Sequence, residues 1–305
     1  MDENAKPALD SAVLSYYTRR AEETRLERGI SQLEAVRTRD LIERHAPPPP
    51  AAVLDVGGAA GAYAAWLADR GYAVHLVDAV PRLVEEARRR NAGENRPILS
   101  LAVADARALE QSASSVDVLL MLGPLYHLTT SADRATALGE AYRVLRAGGV
   151  LFAAAISRWA SALDGLVHDT LAAPDFAAAV ERAVRDGQHR NETEREGMFT
   201  TAYFHRPEEL QDEVRGAGFE LVGVYGIEGP ARMFADFEDR WADPRRRADM
   251  LRIAAVVEAE PSLLGLSSHL MVVARKPISD APADSRNSES DERLVRDAQG
   301  SGRYH

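Results

Sequence analysis

The chain has 305 residues, 46% of them apolar, so it can form one large domain or two smaller ones with a sizeable core. It contains no cysteine, which excludes a disulfide framework, a cysteine-bound metal and a thiol nucleophile. The formal net charge of −10 argues against a protein that tracks nucleic-acid phosphates. No signal-peptide pattern and no apolar run of membrane-spanning length is present, so we expect a cytoplasmic protein that does not enter a membrane.

The N-terminal segment is predicted to be helical. Apolar residues recur at three- and four-residue steps across residues 10–45. Gly29 is expected to separate two helices, and Ser31 with Glu34 should form a capping box for the second. The four prolines at 47–50 end this helix and mark the clearest boundary in the chain.

Strands and helices alternate after the proline boundary. Apolar runs that end in small or acidic residues predict strands at 52–56, 73–77, 98–103, 116–122 and 150–156. Helical patterns lie between most of them, which predicts a parallel, doubly wound α/β sheet.

The second half has a different pattern. Residues 158–187 are alanine-rich and helical, and residues 188–197 are polar and predict an exposed loop. Two β-like runs, 218–225 and 269–274, flank a helical insertion. The residues beyond 277 are almost devoid of apolar side chains and predict a disordered tail at 278–305.

The turn after the first strand indicates a nucleotide-like ligand. Its sequence, Val-Leu-Asp-Val-Gly-Gly-Ala-Ala-Gly-Ala at 53–62, joins a buried strand to a helix through glycines that allow close backbone approach. A dinucleotide fingerprint that starts at Gly57 would need glycine in place of both Ala59 and Ala62. The pattern D-x-G-x-G-x-G, typical of S-adenosylmethionine sites, loses only its middle glycine, at Ala59.

Two further carboxylates end neighbouring strands. Asp78 follows the second strand and can accept both ribose hydroxyls of either ligand type. Asp105 follows the third strand and can accept a hydrogen bond from an adenine amino group. Together with the closing pair of β-like runs, Asp105 favours S-adenosylmethionine over a dinucleotide.

These motifs make the chain resemble a class I S-adenosylmethionine-dependent methyltransferase, in particular the small-molecule branch common in actinobacteria. The resemblance covers about residues 12–276 and is carried by segments 53–62, 75–78, 103–105, 116–128 and 142–149. It implies a Rossmann-like sheet of seven strands with an antiparallel last strand and helical lid insertions. The implied domains are an N-terminal helical lid at 1–46, a methyltransferase domain at 47–277 with lid insertions at 158–206 and 229–266, and the tail.

The resemblance also implies where S-adenosylmethionine binds. The glycine turn would hold the methionine end, Asp78 the ribose, Asp105 and Ala106 the adenine, and Leu122 with Gly123 the sulfonium side. An aromatic residue of the first helix, Tyr17, would reach the carboxylate end of the cofactor, although packing of this helix explains it equally well. The full predicted set is Tyr17, Asp55, Gly57, Gly58, Gly61, Asp78, Ala79, Asp105, Ala106, Leu122 and Gly123.

Methyl transfer from a sulfonium requires positioning, desolvation and, for some acceptors, proton removal. His127, just past the fourth strand, is the first candidate base, with a packing role as its equal alternative. His205 is a second candidate if its segment covers the pocket. Positions 118–128 contain no carboxylate of the kind that metal-assisted methylation uses, so we expect no metal.

The sequence therefore predicts methyl transfer to an O, N or C atom of a small metabolite, in secondary metabolism. A peptide or protein methyltransferase, a non-catalytic S-adenosylmethionine-binding regulator and an NAD-dependent oxidoreductase are the alternatives. We expect no nucleic-acid partner, and the oligomeric state stays open, with a homodimer as one option.

Overall fold

The structure is a computed structural model that describes residues 9–19, 22–193, 195 and 197–278. Its strands are β1 (Ala52–Val56), β2 (Ala73–Asp78), β3 (Ser100–Val103), β4 (Val116–Met121), β5 (Leu145–Ser157), β6 (Gln188–His189), β7 (Ala202–His205), β8 (Glu220–Gly226) and β9 (His269–Arg275). Its α-helices are α1 (Ser11–Arg19), α2 (Ser31–His45), α3 (Ala62–Asp69), α4 (Pro81–Asn91), α5 (Pro124–His127), α6 (Ser131–Val144), α7 (Ala160–Val167), α8 (Pro174–Asp186), α9 (Pro207–Gly216), α10 (Phe237–Ala242) and α11 (Pro244–Val257). Short 3₁₀ turns lie at Glu22–Glu27, Thr170–Ala172, Gly229–Met233 and Leu264–Leu266.

Seven strands form the main sheet in the order β3-β2-β1-β4-β5-β9-β8. Strands β1 to β5 are parallel, and β9 is antiparallel to both of its neighbours. The predicted Rossmann-like, doubly wound α/β sheet with an antiparallel last strand is therefore confirmed. Because β9 runs the opposite way, its first residue, His269, pairs with Ile156 near the carboxyl end of β5.

Two short strands extend this sheet beyond the prediction. β7 runs parallel to the end of β5, and β6 pairs antiparallel with β7. The exposed loop predicted at 188–197 is therefore wrong at its start, where His189 is buried and stacks on Phe204 with ring centroids 4.8 Å apart. A strand of two residues is too short to produce a periodic sequence pattern.

Helices cover both faces of the sheet, and this explains the continuous apolar runs of its strands. Val53 and Leu54 point to opposite faces of β1, yet both are fully buried and belong to different core clusters. The sheet is thus a rigid platform for whatever lies at its carboxyl edge.

Helix α2 belongs to the core of the domain. Leu41 and Ile42 are at most 1% exposed and pack in the same cluster as Val53. Full burial of each such side chain contributes about 1.5–3 kcal/mol. By contrast, the only buried residue of α1 is Val13, and the turn Glu22–Glu27 has none. Within the described part of the predicted segment 1–46, α2 is therefore anchored in the core, whereas α1 and the turn Glu22–Glu27 bury little.

The predicted capping box of α2 is wrong. Ser31 is the first helical residue, and the N-cap residue, Ile30, makes no side-chain cap bond. Both oxygens of Glu34 instead accept hydrogen bonds from Arg25, at 2.6 and 2.9 Å. A guanidinium offers a carboxylate two charge-assisted bonds, which are stronger than one bond to a backbone amide.

Residues 1–8 and the predicted tail, apart from Ile278, lie outside the described residues. Within the described ranges, none of the helices combines the length and the apolar character needed to cross a membrane.

A buried ion cluster joins the second insertion to α2. Glu258, at the end of α11, accepts hydrogen bonds from Arg44 at 2.7 and 2.8 Å and a further one from Arg37. The Arg37 side chain is only 3% exposed and that of Glu258 only 9%. The insertion is therefore attached to the core by charges that water cannot easily solvate.

We expect Glu258→Gln to destabilise the fold, because it leaves the buried charge of Arg37 without its main carboxylate. The expected loss is about 3 kcal/mol in the free energy of unfolding, measured by urea denaturation. Glu85→Gln is the matched control, since the exposed Glu85–Arg88 pair should contribute less than about 1 kcal/mol. Equal losses for the two variants would contradict the role assigned to the Glu258 cluster.

Candidate functional site

A cavity of about 860 Å³ lies at the carboxyl ends of β1, β2 and β4. This volume is within the range of small-molecule sites. All the residues predicted to bind S-adenosylmethionine line it: Tyr17, Asp55, Gly57, Gly58, Gly61, Asp78, Ala79, Asp105, Ala106, Leu122 and Gly123. The fold thus gathers residues from five separate stretches of the chain around one space.

The turn from β1 to α3 forms the floor of this cavity. Gly57 and Gly61 have φ of +74° and +83°, and Ala59 has φ of +49°, in the left-handed region that favours glycine. A Cβ on Gly57 would lie 2.7 Å from Cδ of Pro124, and a Cβ on Gly58 would lie 2.7 Å from Asp55 Oδ2. Neither position can therefore carry a side chain unless Pro124 or Asp55 moves.

Two buried carboxyl groups face the turn. Asp78 accepts hydrogen bonds from the backbone N–H groups of Ala59 and Val80, both at 2.8 Å. Burial outweighs these bonds and raises the pKa of Asp78 to about 6. Burial and the charge of Asp78 raise the pKa of Asp55 to about 7. Asp55 Oδ2 is buried and has no hydrogen-bond partner, so a ligand that brings donors would satisfy it.

Asp105 also lines the cavity, but its carboxylate is paired with an arginine. Arg107 donates to both of its oxygens, each at 2.9 Å, and also donates to Asp133 at 2.8 Å. A carboxylate can accept about four hydrogen bonds, so Asp105 keeps capacity for a ligand donor. Arg107, which the sequence motifs did not single out, fixes its orientation.

His127 also lines the cavity, but both of its ring nitrogens are engaged. Nε2 lies 2.9 Å from the Tyr17 hydroxyl, and Nδ1 lies 3.3 Å from the carbonyl oxygen of Thr201. Because a carbonyl only accepts, Nδ1 carries the proton and Nε2 accepts from Tyr17. Burial lowers the pKa of His127 to about 4, which makes it a weak base. Its contacts join α1 to the segment before β7.

His205 does not line the cavity. It is the last residue of β7 and is fully buried against α9, where its Nε2 lies 3.2 Å from an oxygen of Glu213. Burial lowers its pKa in spite of this carboxylate. The structure therefore separates His205 from the residues that surround the cavity, because its strand turns the side chain toward α9.

A third histidine was missed by sequence reasoning. His269 lines the cavity, and its Nδ1 lies 2.5 Å from Oε1 of Glu228. Glu34, which also lines the cavity, comes within 4.0 Å of the same nitrogen. The one signal in the sequence was its place at the start of the last, antiparallel strand, which brings it to the carboxyl edge of the others.

Glu34, Glu228 and His269 bring three ligand-type atoms within 4.8 Å of one another, a spacing that a cation could bridge. The carboxylate oxygens of both glutamates already accept hydrogen bonds. Arg25 binds both oxygens of Glu34, while His269 and Ser267 bind those of Glu228. The guanidinium of Arg25 also repels a cation at this position. We read the group as a hydrogen-bonded network next to the Arg25–Glu34 ion pair.

Comparison with known proteins agrees with this geometry. Residues 53–149 match the family described as "Methyltransferase domain". The "Ubiquinone/menaquinone biosynthesis C-methyltransferase UbiE" of Acidiphilium cryptum is 30% identical over 197 residues, which cover 63% of this chain and 75% of that protein. The "Malonyl-[acyl-carrier protein] O-methyltransferase" of Geobacter sulfurreducens is 35% identical over 178 residues, and the match spans 58% of each chain.

A solved structure shows the same fold. It is a protein of Methanosarcina mazei, described as belonging to the S-adenosylmethionine-dependent methyltransferases, with a TM-score of 0.55 and 17% identity. The match covers 78% of this chain and 98% of that one. Fold, turn and relatives agree, and the chain belongs to the class I S-adenosylmethionine-dependent methyltransferases, with S-adenosylmethionine as its cofactor.

Proposed function

We propose that this methyltransferase acts on an O, N or C atom of a small metabolite held in a roofed pocket. One observation carries the proposal: the cavity that contains the cofactor turn continues beneath α1, the turn Glu22–Glu27 and α2, as far as His269 and Trp241. A site covered in this way suits a small acceptor, whereas a peptide or protein acceptor needs an open cleft. The two curated relatives named above support methylation of carbon or oxygen, according to their names.

We assign the cofactor-binding roles as follows. Gly57, Gly58 and Gly61 hold the methionine end by close backbone approach, and Asp55 stays near its ammonium group. Asp78 accepts the ribose hydroxyls, and Asp105 with Ala106 holds the adenine. Leu122 and Gly123 lie beside the sulfonium. All of these residues line one cavity, which supports the assignment.

When bound, S-adenosylmethionine supplies an activated methyl group on a sulfonium. The chain contributes enclosure and orientation, which favour an in-line displacement. We propose that His127 positions the roof through its hydrogen bond to Tyr17 instead of acting as a base, because its nitrogens are engaged and its pKa is low. His205 has no part in this mechanism.

Membership of the family removes the NAD-dependent oxidoreductase from the alternatives. A role in secondary metabolism and a place in the actinobacterial small-molecule branch stay predictions.

The function is tested with methyl-labelled S-adenosylmethionine and an extract of small metabolites. We expect label in a product of low mass, and at least a tenfold slower transfer by Asp78→Asn, because the ribose loses its charged acceptor. Label in protein would favour the peptide alternative. Binding of S-adenosylhomocysteine without any transfer would identify a non-catalytic binder.

Cofactor affinity should depend on pH through Asp78. The ribose hydroxyls need the ionised carboxylate, and the pKa of this group is raised to about 6 in the free protein. Asp55, which we place near the ammonium group, has a pKa of about 7, so affinity for S-adenosylhomocysteine should be constant only well above pH 7. It should fall at lower pH as the two carboxyl groups take up protons, most steeply below pH 6. Calorimetry across this range checks the slope. Asp78→Asn should bind weakly with a shallower profile that keeps only the Asp55 contribution, whereas Asp212→Asn, on the exposed face of α9, should keep the full slope.

Ala59→Gly should bind S-adenosylhomocysteine at least as well as the natural chain. Ala59 has φ of +49°, which costs a residue with a Cβ about 1 kcal/mol that glycine avoids. Glycine loses about 0.5–1 kcal/mol through greater freedom of the unfolded chain, so the melting temperature should change little. Ala60→Gly is the control and should only destabilise. A large loss of affinity in Ala59→Gly would mean that the ligand does not bind at this turn.

A further inference from the structure

The Glu228–His269 pair is oriented for proton transfer. Glu228 Oε1 lies 2.5 Å from Nδ1 of His269, and Oε2 accepts from Ser267 Oγ at 2.6 Å and from the His269 backbone at 3.0 Å. The ionised carboxylate can only accept, so Nδ1 of His269 carries the proton. In the neutral imidazole the lone pair is then on Nε2.

Nε2 of His269 is available to a ligand. Among the described residues none forms a hydrogen bond to it, and the side chain keeps 24% of its surface where it lines the cavity. His127, in the same cavity, has both nitrogens engaged. His269 is therefore the imidazole that can exchange a proton with a bound molecule.

The position of His269 suits the acceptor side of the cavity. β9 is separated from β4 by one strand, β5, and neighbouring strands lie about 4.8 Å apart. His269 thus lies about 10 Å across the sheet from β4, the strand that leads into Leu122 and Gly123. A molecule with one ring can span this gap between the imidazole and the methyl group.

The charges around His269 favour an acceptor without negative charge. The charged groups that face it are Glu228 beyond β8, Glu34 of α2 and Arg25 of the turn Glu22–Glu27. Arg25 is already bound by Glu34 and by Glu22, the latter at 2.6 Å, so it is a poor anion site. Burial lowers the pKa of His269, but the two carboxylates outweigh it and raise the pKa above its ordinary value. The result is a stronger base than His127.

We propose that His269, positioned by Glu228, is the general base that takes the proton from a hydroxyl group of an uncharged small acceptor. The proposal rests on the proposed function and names its acceptor class. The acceptor oxygen forms a bond to the methyl carbon, and the carbon–sulfur bond breaks with its electron pair passing to sulfur. The hydroxyl proton moves to Nε2 of His269, and Glu228 stabilises the imidazolium.

The test uses para-nitrophenol, whose visible absorbance reports its ionised form, together with protein saturated with S-adenosylhomocysteine. In a titration across pH, we expect the bound probe to ionise about one pH unit below the free probe, a tenfold gain in its ionisation constant. His269→Gln should abolish this gain, and Glu228→Gln should reduce it. His168→Gln is the matched control, because His168 is 61% exposed and does not line the cavity.

A second set of measurements checks the fold and the cofactor binding of the variants. Melting temperature and calorimetry with S-adenosylhomocysteine must show that each variant folds and binds. Histidine-labelled protein then reports the NMR titration of His269, whose pKa should fall in Glu228→Gln because the imidazolium loses its carboxylate partner.

Three outcomes would overturn the base role: equal ionisation of the probe in His269→Gln, no ionisation in the natural chain, or loss of ionisation when EDTA is added. The last would assign the cluster to a metal. If S-adenosylhomocysteine fails to bind the natural chain, the proposed function itself fails, and the two failures are thus distinguishable.

Discussion

The hydrogen bonds that tie the turn after β1 to the end of β2 set the geometry on which the site depends. The N–H groups of Gly57 and Gly58 both donate to the carbonyl oxygen of Val77, at 2.8 and 3.3 Å, and Ala59 donates to Asp78 at 2.8 Å. These bonds pull the turn across the sheet edge and force it into left-handed conformations. They also bury Asp78 under the backbone, which raises the pKa of its carboxyl group. The floor of the cavity and the Asp78 carboxyl group, the proposed ribose acceptor, are thus one structural unit.

The roof is fixed by different forces. Arg25 with Glu34 attaches the turn Glu22–Glu27 to α2, and Arg37 and Arg44 with Glu258 attach the second insertion to α2. Desolvation offsets much of the attraction in such pairs. They therefore contribute more to the orientation of the attached segments than to the stability of the fold. The hydrogen bond from Tyr17 to His127 adds a directional contact above the cavity. A roof held by polar contacts can open more readily than one held by a large apolar interface.

His127 and His269 show how position decides the chemistry of one side chain. Both line the same cavity and both are largely removed from water. His127 has aromatic and backbone neighbours, so burial dominates and its pKa falls to about 4. His269 faces two carboxylates, which reverse the effect of burial. Sequence context pointed to His127 because it follows a parallel strand, where functional residues concentrate.

The sequence by itself determined the parallel sheet and the edge of the sheet at which the cavity lies. Apolar runs that end in Asp55, Asp78 and Asp105 specify buried parallel strands, and the carboxyl ends of such strands must meet at one edge. Residues that follow this rule could be named in advance, because the rule needs only local pattern. The glycine turn likewise follows from local backbone conformation.

Only the tertiary structure brought together the residues of the proposed acceptor side. His269 begins an antiparallel strand, so its start, and not its end, lies at the functional edge. Glu34 and Glu228 are separated by 194 positions in the sequence, and neither belongs to a local motif. The same packing excluded His205, whose strand directs it toward Glu213. Burial, charge and hydrogen-bond partners arise from contacts between distant segments, and a one-dimensional pattern does not contain them.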